Sequence, residues 1–255
     1  KNQFHLGMTA GIDSSVYGNI SKELFDFLGY GNKMNETLDV SGKVNADVFF
    51  YQTLETSFKA KNILFTLTPA VFAPIAHAET SDMKGKVENG SDGSVKLSAS
   101  TKVIMYTVTD AQSIIEDKTF NTNAIVDDVL HGLGFDLSLA AEMPFPNYLE
   151  LGLYTRIPIV PGTLKYSASM TATASYTTDN IAGYITDTNT TTKDFTISDK
   201  TYESADFKLS RPFRFGIEGA WRPFGSWFTM TPLFGIGIKY PYTADAVPYV
   251  EYNFD

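Results

Sequence analysis

Apolar and polar residues alternate with a period of two over most of the chain. The longest faultless run lies between Leu164 and Thr177, where even positions are apolar or aromatic and odd positions are Lys, Ser or Thr. Such alternation is typical of β-strands with one apolar and one polar face. Strands in soluble proteins are most often about 5 to 6 residues long, so this run indicates a long, uniform, two-sided environment. Lipid on one face and water on the other would provide that environment.

The same alternation predicts about ten strands, an even number. They lie at residues 4–12, 38–58, 63–75, 95–105, 133–143, 149–156, 164–176, 205–221, 228–240 and 250–254. An even number of amphipathic strands joined in sequence is typical of transmembrane barrels. We therefore predict an all-β fold, an antiparallel up-and-down transmembrane β-barrel of about ten or more strands, as a single domain over residues 1–255.

The predicted connections sort into two sets at opposite ends of the barrel. One end receives residues 14–36, 78–92, 144–147, 178–203 and 241–245, and the other receives 59–62, 109–132, 158–162 and 223–226. Three connections of the second set are tight turns, and both termini lie with them. Short turns on the side of the termini and long loops opposite are typical of bacterial outer-membrane barrels. The pattern thus predicts the bacterial outer membrane as the location.

Two segments follow a helical period instead. Their apolar stripes consist of Ile20, Leu24, Phe27 and Leu28 in the first, and of Ile125, Val129 and Leu133 in the second. Each predicted helix is about three turns long. Two interpretations stay open: a helix inside the barrel as a plug, or a surface helix that packs on strand ends.

Aromatic residues bracket three of the predicted strands on the apolar face. The pairs are Phe135 with Phe145, Tyr166 with Tyr176, and Phe228 with Tyr240. A spacing of ten residues spans about 33 Å in an extended strand and roughly 25 Å after a tilt near 40°. This is about the height of the apolar band of a membrane barrel. We therefore predict that these six residues form aromatic girdles at the two interfaces.

Charged residues of both signs occupy the opposite, inward-facing positions of the same strands. The predicted lumen-lining residues are Asp136, Glu142, Glu150, Arg156, Lys165, Arg214, Glu218, Arg222 and Lys239. Because a barrel of this size is narrow, these groups can pair with one another and close the lumen. They can equally line a small polar path. The sequence leaves both interpretations open.

Composition excludes several other classes of protein. There are 20 Lys and Arg against 29 Asp and Glu, a net charge of −9, which argues against nucleic-acid binding. No apolar run approaches the roughly 20 residues of a transmembrane helix. The absence of Cys excludes disulfides and thiolate chemistry.

Candidate catalytic chemistry is sparse. The three histidines are His5, His77 and His131. We interpret His77 as a girdle or loop residue, and His131 as a partner of Asp127 on a helix surface. Since no nucleophile, phosphate-binding or metal-binding motif is present, we predict no catalytic residue, no metal site and no cofactor, and hence no enzyme.

Residues 134–166 and 211–241 resemble uncharacterised outer-membrane barrels of two-membrane bacteria that are grouped near the FadL-type long-chain fatty-acid channels. The resemblance implies a barrel that passes or binds small hydrophobic molecules. That family carries an N-terminal hatch and more strands, whereas this chain begins with a strand at Phe4, so the family's binding residues are not transferred. The aromatic alternation at the end of the chain resembles an assembly signal, except that Asp255 stands where Phe is expected. The hypothesis that further strands follow therefore stays open.

Three functional hypotheses follow. The first is uptake or passive permeation of small hydrophobic solutes, with membrane lipid and such a solute as the partners. The second is a surface-exposed structural or adhesive outer-membrane protein with a closed lumen. The third is a soluble β-sandwich or lipid-binding barrel whose apolar face points inward. The sequence determines neither the solute nor the oligomeric state.

Overall fold

The computed structural model describes most of the chain as β-structure. The described residues are 4–30, 37–91, 93–110, 112–113, 122–145, 149–178, 191–222, 224, 228–241 and 246–254. Their elements are β1 (Phe4–Ile20), α1 (Lys22–Tyr30), β2 (Thr37–Ala60), β3 (Ile63–Asn89), β4 (Val95–Thr107), α2 (Thr122–His131), β5 (Gly134–Phe145), β6 (Leu149–Val160), β7 (Gly162–Thr178), β8 (Thr191–Leu209), β9 (Phe213–Trp221), β10 (Pro232–Lys239) and β11 (Val247–Phe254). The predicted all-β class is confirmed.

The strands differ from the predicted ones in number and length. The predicted strand over 205–221 is divided into β8 and β9 by residues 210–212. Proline lacks the N–H that a strand interior needs, so Pro212 ends the ladder there. β3 continues to Asn89 and β8 begins at Thr191, so much of two predicted connections is strand. The connections predicted at 144–147, 223–226 and 241–245 lie largely outside the described residues.

β3 organises the sheet because one of its edges is shared by two strands. Along one edge it pairs with β2, and along the other it pairs with β5 over residues 64–72 and with β4 over residues 76–89. From this branch point, one series of strands runs β5–β6–β9–β10–β11 and a second runs β4–β7–β8. All of these pairings are antiparallel.

The strict up-and-down order is therefore wrong at three places. β3 pairs with β5, β4 with β7 and β6 with β9, although none of these pairs is consecutive. The reason is the length of β3, 27 residues, which offers one edge to two shorter strands. Local alternation indicates that a segment is a strand but does not specify its partner.

The described sheet is curved but not closed. The described part contains no backbone pairing between β1 and β11, so these two strands remain edges. Side chains nevertheless reach across from β1 to the far end of the sheet: Asp13 lies 3.6 Å from Arg211, and Lys239 donates to the Ser15 hydroxyl over 3.4 Å. Because residues so far apart in the strand order meet, the sheet has a concave face, and these side chains lie on it.

The convex face is apolar and uncovered. Among the described residues, 39 large hydrophobic side chains are exposed, whereas 10 hydrophobic residues form the buried core. On β1, for example, Leu6, Met8 and Ile12 are between 66% and 74% exposed. This distribution is the reverse of that in a water-soluble domain. Among the described helices, none is both long enough and apolar enough to span a bilayer.

The two predicted helices are present as α1 and α2. The Leu24, Phe27 and Leu28 side chains of the first stripe lie outside the described residues. In α2, Val129 packs against the core while Val126 and Leu130 are exposed. A helix with one side on the strands and one side uncovered favours the surface-packing interpretation.

Candidate functional site

The concave face brings most of the predicted inward charges together in three layers, each defined by its residues. The acidic layer contains Glu142, Glu150 and Glu218; the arginine layer contains Asp13, Asp136, Arg156, Arg211, Arg214 and Glu251; the aromatic layer contains Tyr17, Asp47, His77, Tyr106, Phe207, Lys239 and Tyr240. Strand register explains this grouping, because directly opposite residues of antiparallel strands point to the same face. Arg156, for example, stands opposite both Ser138 and Arg214.

The arginine layer is a network of ion pairs with a buried centre, the pair of Arg211 and Asp136. Arg211 donates to Asp136 over 3.1 Å, and these side chains are 4% and 0% exposed. Asp13 lies 3.6 Å from Arg211 and 3.8 Å from Arg156, which places it between two guanidinium groups. Three cations and three anions therefore balance, which is the condition for charges to be buried at all.

The edge of this network involves two strands near the open end of the sheet. Arg214 lies 3.5 Å from Glu251 and donates to the Tyr249 hydroxyl over 3.1 Å. Arg211 also lies over the Tyr51 ring, 4.4 Å from its centre. Strands β1, β2, β5, β6, β9 and β11 thus all contribute to one layer across the concave side.

The aromatic layer is centred on Asp47, a buried carboxylate with two side-chain partners. His77 Nδ1 lies 2.7 Å from Asp47 Oδ1, and the Tyr240 hydroxyl lies 3.0 Å from each Asp47 oxygen and donates to the carboxylate. The His77 ring stacks on Phe207 at 4.9 Å between centres, and Phe207 stacks on Tyr106 at 4.1 Å. These close-packed rings occupy the concave side above the arginine layer.

Two neighbouring residues complete this layer. The Lys239 ammonium lies over the Tyr17 ring, 3.5 Å from its centre. Tyr240, which alternation places in the outer girdle, is instead buried beside Asp47. Its backbone is left-handed, with φ of 51°, and this reverses the alternation after β10 so that Lys239 and Tyr240 both point inward.

The acidic layer lies at the opposite end of the concave side. Glu142, Glu150 and Glu218 line a cavity of about 400 Å³ together with Gly152. Arg222 donates to Glu150 over 2.9 Å, so two predicted residues pair with each other there. A side chain at Gly152 would press against Glu218, at 2.9 Å from the new Cβ, which explains the glycine between these carboxylates.

Lys165, another predicted inward charge, contacts none of these layers. It donates to Asp128 of α2 over 2.8 Å, and the Thr163 N–H donates to the Gly132 carbonyl just after that helix. These contacts attach α2 to the start of β7.

The remaining girdle residues lie at various positions. Phe145 and Phe228 are both 39% exposed, and Phe135 is half-buried on β5. Tyr166 and Tyr176 are half-buried on β7, where Tyr166 donates to Asp128 over 3.4 Å and Lys193 lies over the Tyr176 ring. Their position relative to a membrane stays a prediction.

Sequence reasoning missed five charged or histidine members of the arginine and aromatic layers. Asp13, Asp47 and Glu251 lie on the polar positions of predicted strands, so alternation could have identified them. Arg211 lies between β8 and β9, where alternation fails. The sequence predicts a girdle or loop position for His77, because no local pattern reveals that Asp47 is its cross-strand partner.

Two cavities adjoin the layers. The mouth cavity, about 460 Å³, lies above the aromatic layer and is lined by Tyr17, Lys43, Asn45, His77, Glu79 and Phe207 among others. The seam cavity, about 360 Å³, lies between β1 and β11 and is lined by Ser15, Tyr17, Lys239, Tyr249, Val250 and Tyr252 among others. Neither contains three metal-ligating side chains in a suitable group, within the part of the chain that the structure describes.

Comparison of the chain with protein-family models, with curated proteins and with solved structures found no match.

Proposed function

We propose that the chain is an integral protein of the bacterial outer membrane whose convex face contacts lipid. The observation that carries this proposal is the uncovered apolar face on β1, β2, β3, β5, β6, β9, β10 and β11. A soluble protein rarely exposes an apolar patch larger than a few hundred Å². A soluble sandwich would cover this face with a second layer, whereas all described strands belong to one sheet.

Lipid also gives a reason for the free edges of β1 and β11 to meet. In a bilayer, each unsatisfied backbone group costs several kcal/mol, so an open sheet edge is not tolerated there. We therefore propose that β1 and β11 pair in the membrane and complete a barrel of eight strands. Tyr17 of β1 and Tyr249 of β11 line the same cavity, which supports this pairing.

Cysteine cross-linking tests this closure directly, since the natural chain has no Cys. Ile12→Cys combined with Val250→Cys places one thiol on each edge, and neighbouring pairs along β1 scan the register. We expect a disulfide between β1 and β11 in native membranes. Ile12→Cys combined with Phe195→Cys of β8 is the matched control and should remain uncross-linked. Cross-linking of the control pair, or of no pair along the seam, contradicts the closure.

For such a barrel, the best-supported role is that of a surface-exposed structural or adhesive protein with a closed interior. The arginine and aromatic layers fill the concave side with paired charges and packed rings. Beyond them, β4, β7 and β8 extend the sheet, and together with the ends of β2 and β3 they form a further concavity of about 930 Å³. Its lining is rich in hydroxyl groups, from Ser98, Ser100, Thr173 and Thr196 among others. A concavity of this size with hydroxyl groups along its lining suits contact with a surface partner.

Planar-bilayer recording tests the closed interior. We expect the purified chain to insert without producing ion conductance, because two layers of side chains obstruct the concave side. A steady conductance at low voltage would contradict the closed interior and favour a pore.

Uptake of small hydrophobic solutes is the second candidate, and the seam cavity is the observation that favours it. This cavity is lined both by concave-face residues such as Lys239 and by convex-face residues such as Val250. A solute could therefore pass sideways into lipid. Uptake of a fluorescent apolar probe into proteoliposomes, compared with protein-free liposomes, distinguishes this candidate from the first.

A further inference from the structure

We propose that the hydroxyl groove, the concavity of about 930 Å³ formed by β2, β3, β4, β7 and β8, binds an acidic oligosaccharide. Such a ligand is a sugar chain that carries carboxylate or sulfate groups. This inference deepens the proposed surface-exposed role and rests on it, because the groove must lie outside the bilayer. It is carried by the register of five strands, by two exposed lysines and by the arrangement of acidic and hydroxyl side chains around them.

The register of the five strands places the side chains of the hydroxyl groove in two rows on the concave face. Directly opposite residues of neighbouring strands form each row. The first row contains Asp39, Lys86, Ser98, Ser175 and Asp194, and the second contains Ser41, Lys84, Ser100, Thr173 and Thr196. Since neighbouring strands lie about 4.8 Å apart, each row spans about 19 Å. The groove is therefore wide enough for more than one sugar ring.

Hydroxyl groups line the groove on every strand except β3. Those of Ser41, Ser100 and Thr196 belong to exposed residues, so a ligand can reach them. The hydroxyl groups of Thr173 and Thr196 share one hydrogen bond of 2.7 Å. Because a hydroxyl has one donor and two acceptor sites, both can form further bonds. Sugar hydroxyl groups, which also donate and accept, suit this lining.

Lys84 and Lys86 supply the positive charge of the groove from β3. Both are exposed residues. Lys43, further along the same concave face, pairs with Glu79 at 3.2 Å. Within the part of the chain that the structure describes, Lys84 and Lys86 form no such ion pair. A carboxylate or sulfate group can therefore form charge-assisted hydrogen bonds with them without displacing an internal partner.

The acidic lining residues limit how densely a ligand can be charged. Asp39 and Asp194 lie on β2 and β8, at the two sides of the groove, whereas both lysines lie on β3. A polymer with a charge on every unit, such as a nucleic acid or polyphosphate, would be repelled by both carboxylates and by the net charge of −9. An acidic oligosaccharide carries neutral hydroxyl groups between its charges, which fits a groove with cations in one strip only.

The lining does not suit a protein partner. Among the described lining residues, Val40 is the largest apolar one and none is aromatic. Binding energy in protein interfaces comes mainly from a few large side chains such as Trp and Tyr that fill pockets. The groove offers small and hydroxyl-bearing side chains instead, so we favour the sugar chain.

The length of β3 supports a position of the groove outside the bilayer. Leu67 is exposed on the convex face, within the proposed lipid contact, and Lys84 lies 17 residues further along the same strand. This separation is about 56 Å in an extended strand and roughly 43 Å after a tilt near 40°. The apolar band of a membrane barrel is only about 25 Å tall. With Leu67 in the band, the groove lies beyond it.

Biolayer interferometry on the full chain in a zwitterionic detergent tests the proposal. The probes are oligosaccharides of glucuronic acid with N-acetylglucosamine, and sulfated oligosaccharides of N-acetylgalactosamine. Their methyl-esterified or desulfated forms serve as uncharged counterparts, and oligoglutamate and polyphosphate serve as other anions. We expect at least one acidic oligosaccharide to bind at least tenfold more tightly than its uncharged counterpart and than both other anions. Binding of no acidic oligosaccharide, or equal binding of the uncharged counterpart, oligoglutamate or polyphosphate, overturns the proposal.

Two double variants assign the binding to the groove. Lys84→Gln combined with Lys86→Gln should weaken binding at least tenfold and leave the protein folded, because both side chains are exposed and form no described ion pair. Lys59→Gln combined with Lys61→Gln, at the turn between β2 and β3, is the matched control. It removes the same charge from two lysines with the same spacing and should bind normally. Undiminished binding in the first variant, or an equal loss in both, overturns the proposal.

Thiol labelling in intact cells separates this inference from the proposed function. Ser100→Cys places a single thiol in the groove, since the natural chain has no Cys. We expect a membrane-impermeant maleimide to label it in intact cells. Labelling without binding of any acidic oligosaccharide overturns this inference alone. Labelling only after lysis contradicts the surface-exposed role, and with it the inference that rests on it.

Discussion

Replacing Asp136 with Ala tests whether the buried ion pairs hold the sheet in its curved form. Asp136 is 0% exposed, and its partner Arg211 is 4% exposed at a distance of 3.1 Å. Removal of the carboxylate leaves Arg211 with Asp13 at 3.6 Å, which is longer than a normal hydrogen bond. Most of the stabilisation of the guanidinium group is therefore lost.

The expected magnitude follows from the burial of this pair. Breaking a buried ion pair by removing one partner costs about 3–5 kcal/mol, because the other charge remains buried and uncompensated. We expect Asp136→Ala to lose stability in this range. The double variant Asp136→Ala with Arg211→Met should recover a large part of the loss, because it no longer buries an unpaired charge.

Urea unfolding of the detergent-refolded protein, followed by the fluorescence of its two tryptophans, measures these differences. The matched control is Arg222→Met, which breaks an ion pair of similar length, 2.9 Å, whose side chains are 36% and 48% exposed. An exposed pair contributes about 0–1 kcal/mol, so the control should unfold almost like the natural protein. If Asp136→Ala and Arg222→Met have equal effects, the arginine layer is not a buried network and the reasoning is refuted.

Three further predictions concern the two faces and their packing. Met8→Lys, on the exposed apolar face of β1, should make membrane insertion less favourable by about 2–4 kcal/mol if the residue lies near the bilayer midplane. Thr9→Lys, on the opposite face, should insert almost normally. Equal insertion of the two variants, measured by heat-modifiable electrophoresis, argues against lipid contact. Tyr240→Phe removes the hydroxyl that donates one bifurcated hydrogen bond to both oxygens of a buried carboxylate and should cost about 1.5–3 kcal/mol in urea unfolding. An unchanged midpoint would show that this bond does not form. Gly237→Ala places a Cβ against the Tyr249 ring and should cost about 1–3 kcal/mol, and a stable Gly237→Ala protein would mean that this ring lies elsewhere.

Much of the strand content could be predicted from the sequence, because alternation is a local signal. Each strand of the proposed eight-stranded barrel, from β1 at Phe4 to β11, coincides at least partly with a predicted strand. The prediction of one strand over residues 205–221 is wrong, because the alternation continues across Pro212 although strand pairing stops between β8 and β9. Proline removes a hydrogen-bond donor but leaves the alternation of apolar and polar positions almost unchanged.

Partners could be predicted less well than strands. Nothing local indicates that β3 offers one edge to both β4 and β5, since that pairing depends on the relative lengths of three strands. The same is true of the candidate site. Asp136 and Arg214 could be placed on an inward face by their spacing, but their partners Arg211 and Glu251 come from distant segments.

Tyr240 illustrates how one backbone angle changes a functional assignment. Alternation places it outside, in a girdle, and its left-handed conformation turns it inside, onto Asp47. Non-glycine residues with positive φ are uncommon and are not evident from composition. Both the closed interior and the floor of the mouth cavity depend on this inward position.

Asp13 links the closed interior to the edge of the sheet, and this leads to a final prediction about conductance. It belongs to edge strand β1, and its carboxylate lies between Arg156 of β6 and Arg211, at 3.8 and 3.6 Å. Asp13→Asn removes the negative charge between two guanidinium groups, so their mutual repulsion should loosen β1 from the arginine layer. We expect brief ion-conducting openings in planar bilayers, where the natural protein is silent. Ser14→Asn, one position along on the opposite face of β1, should remain silent. If Asp13→Asn is equally silent while the protein still inserts, then Asp13 does not hold the edge strand, and the interior is closed by the aromatic layer alone.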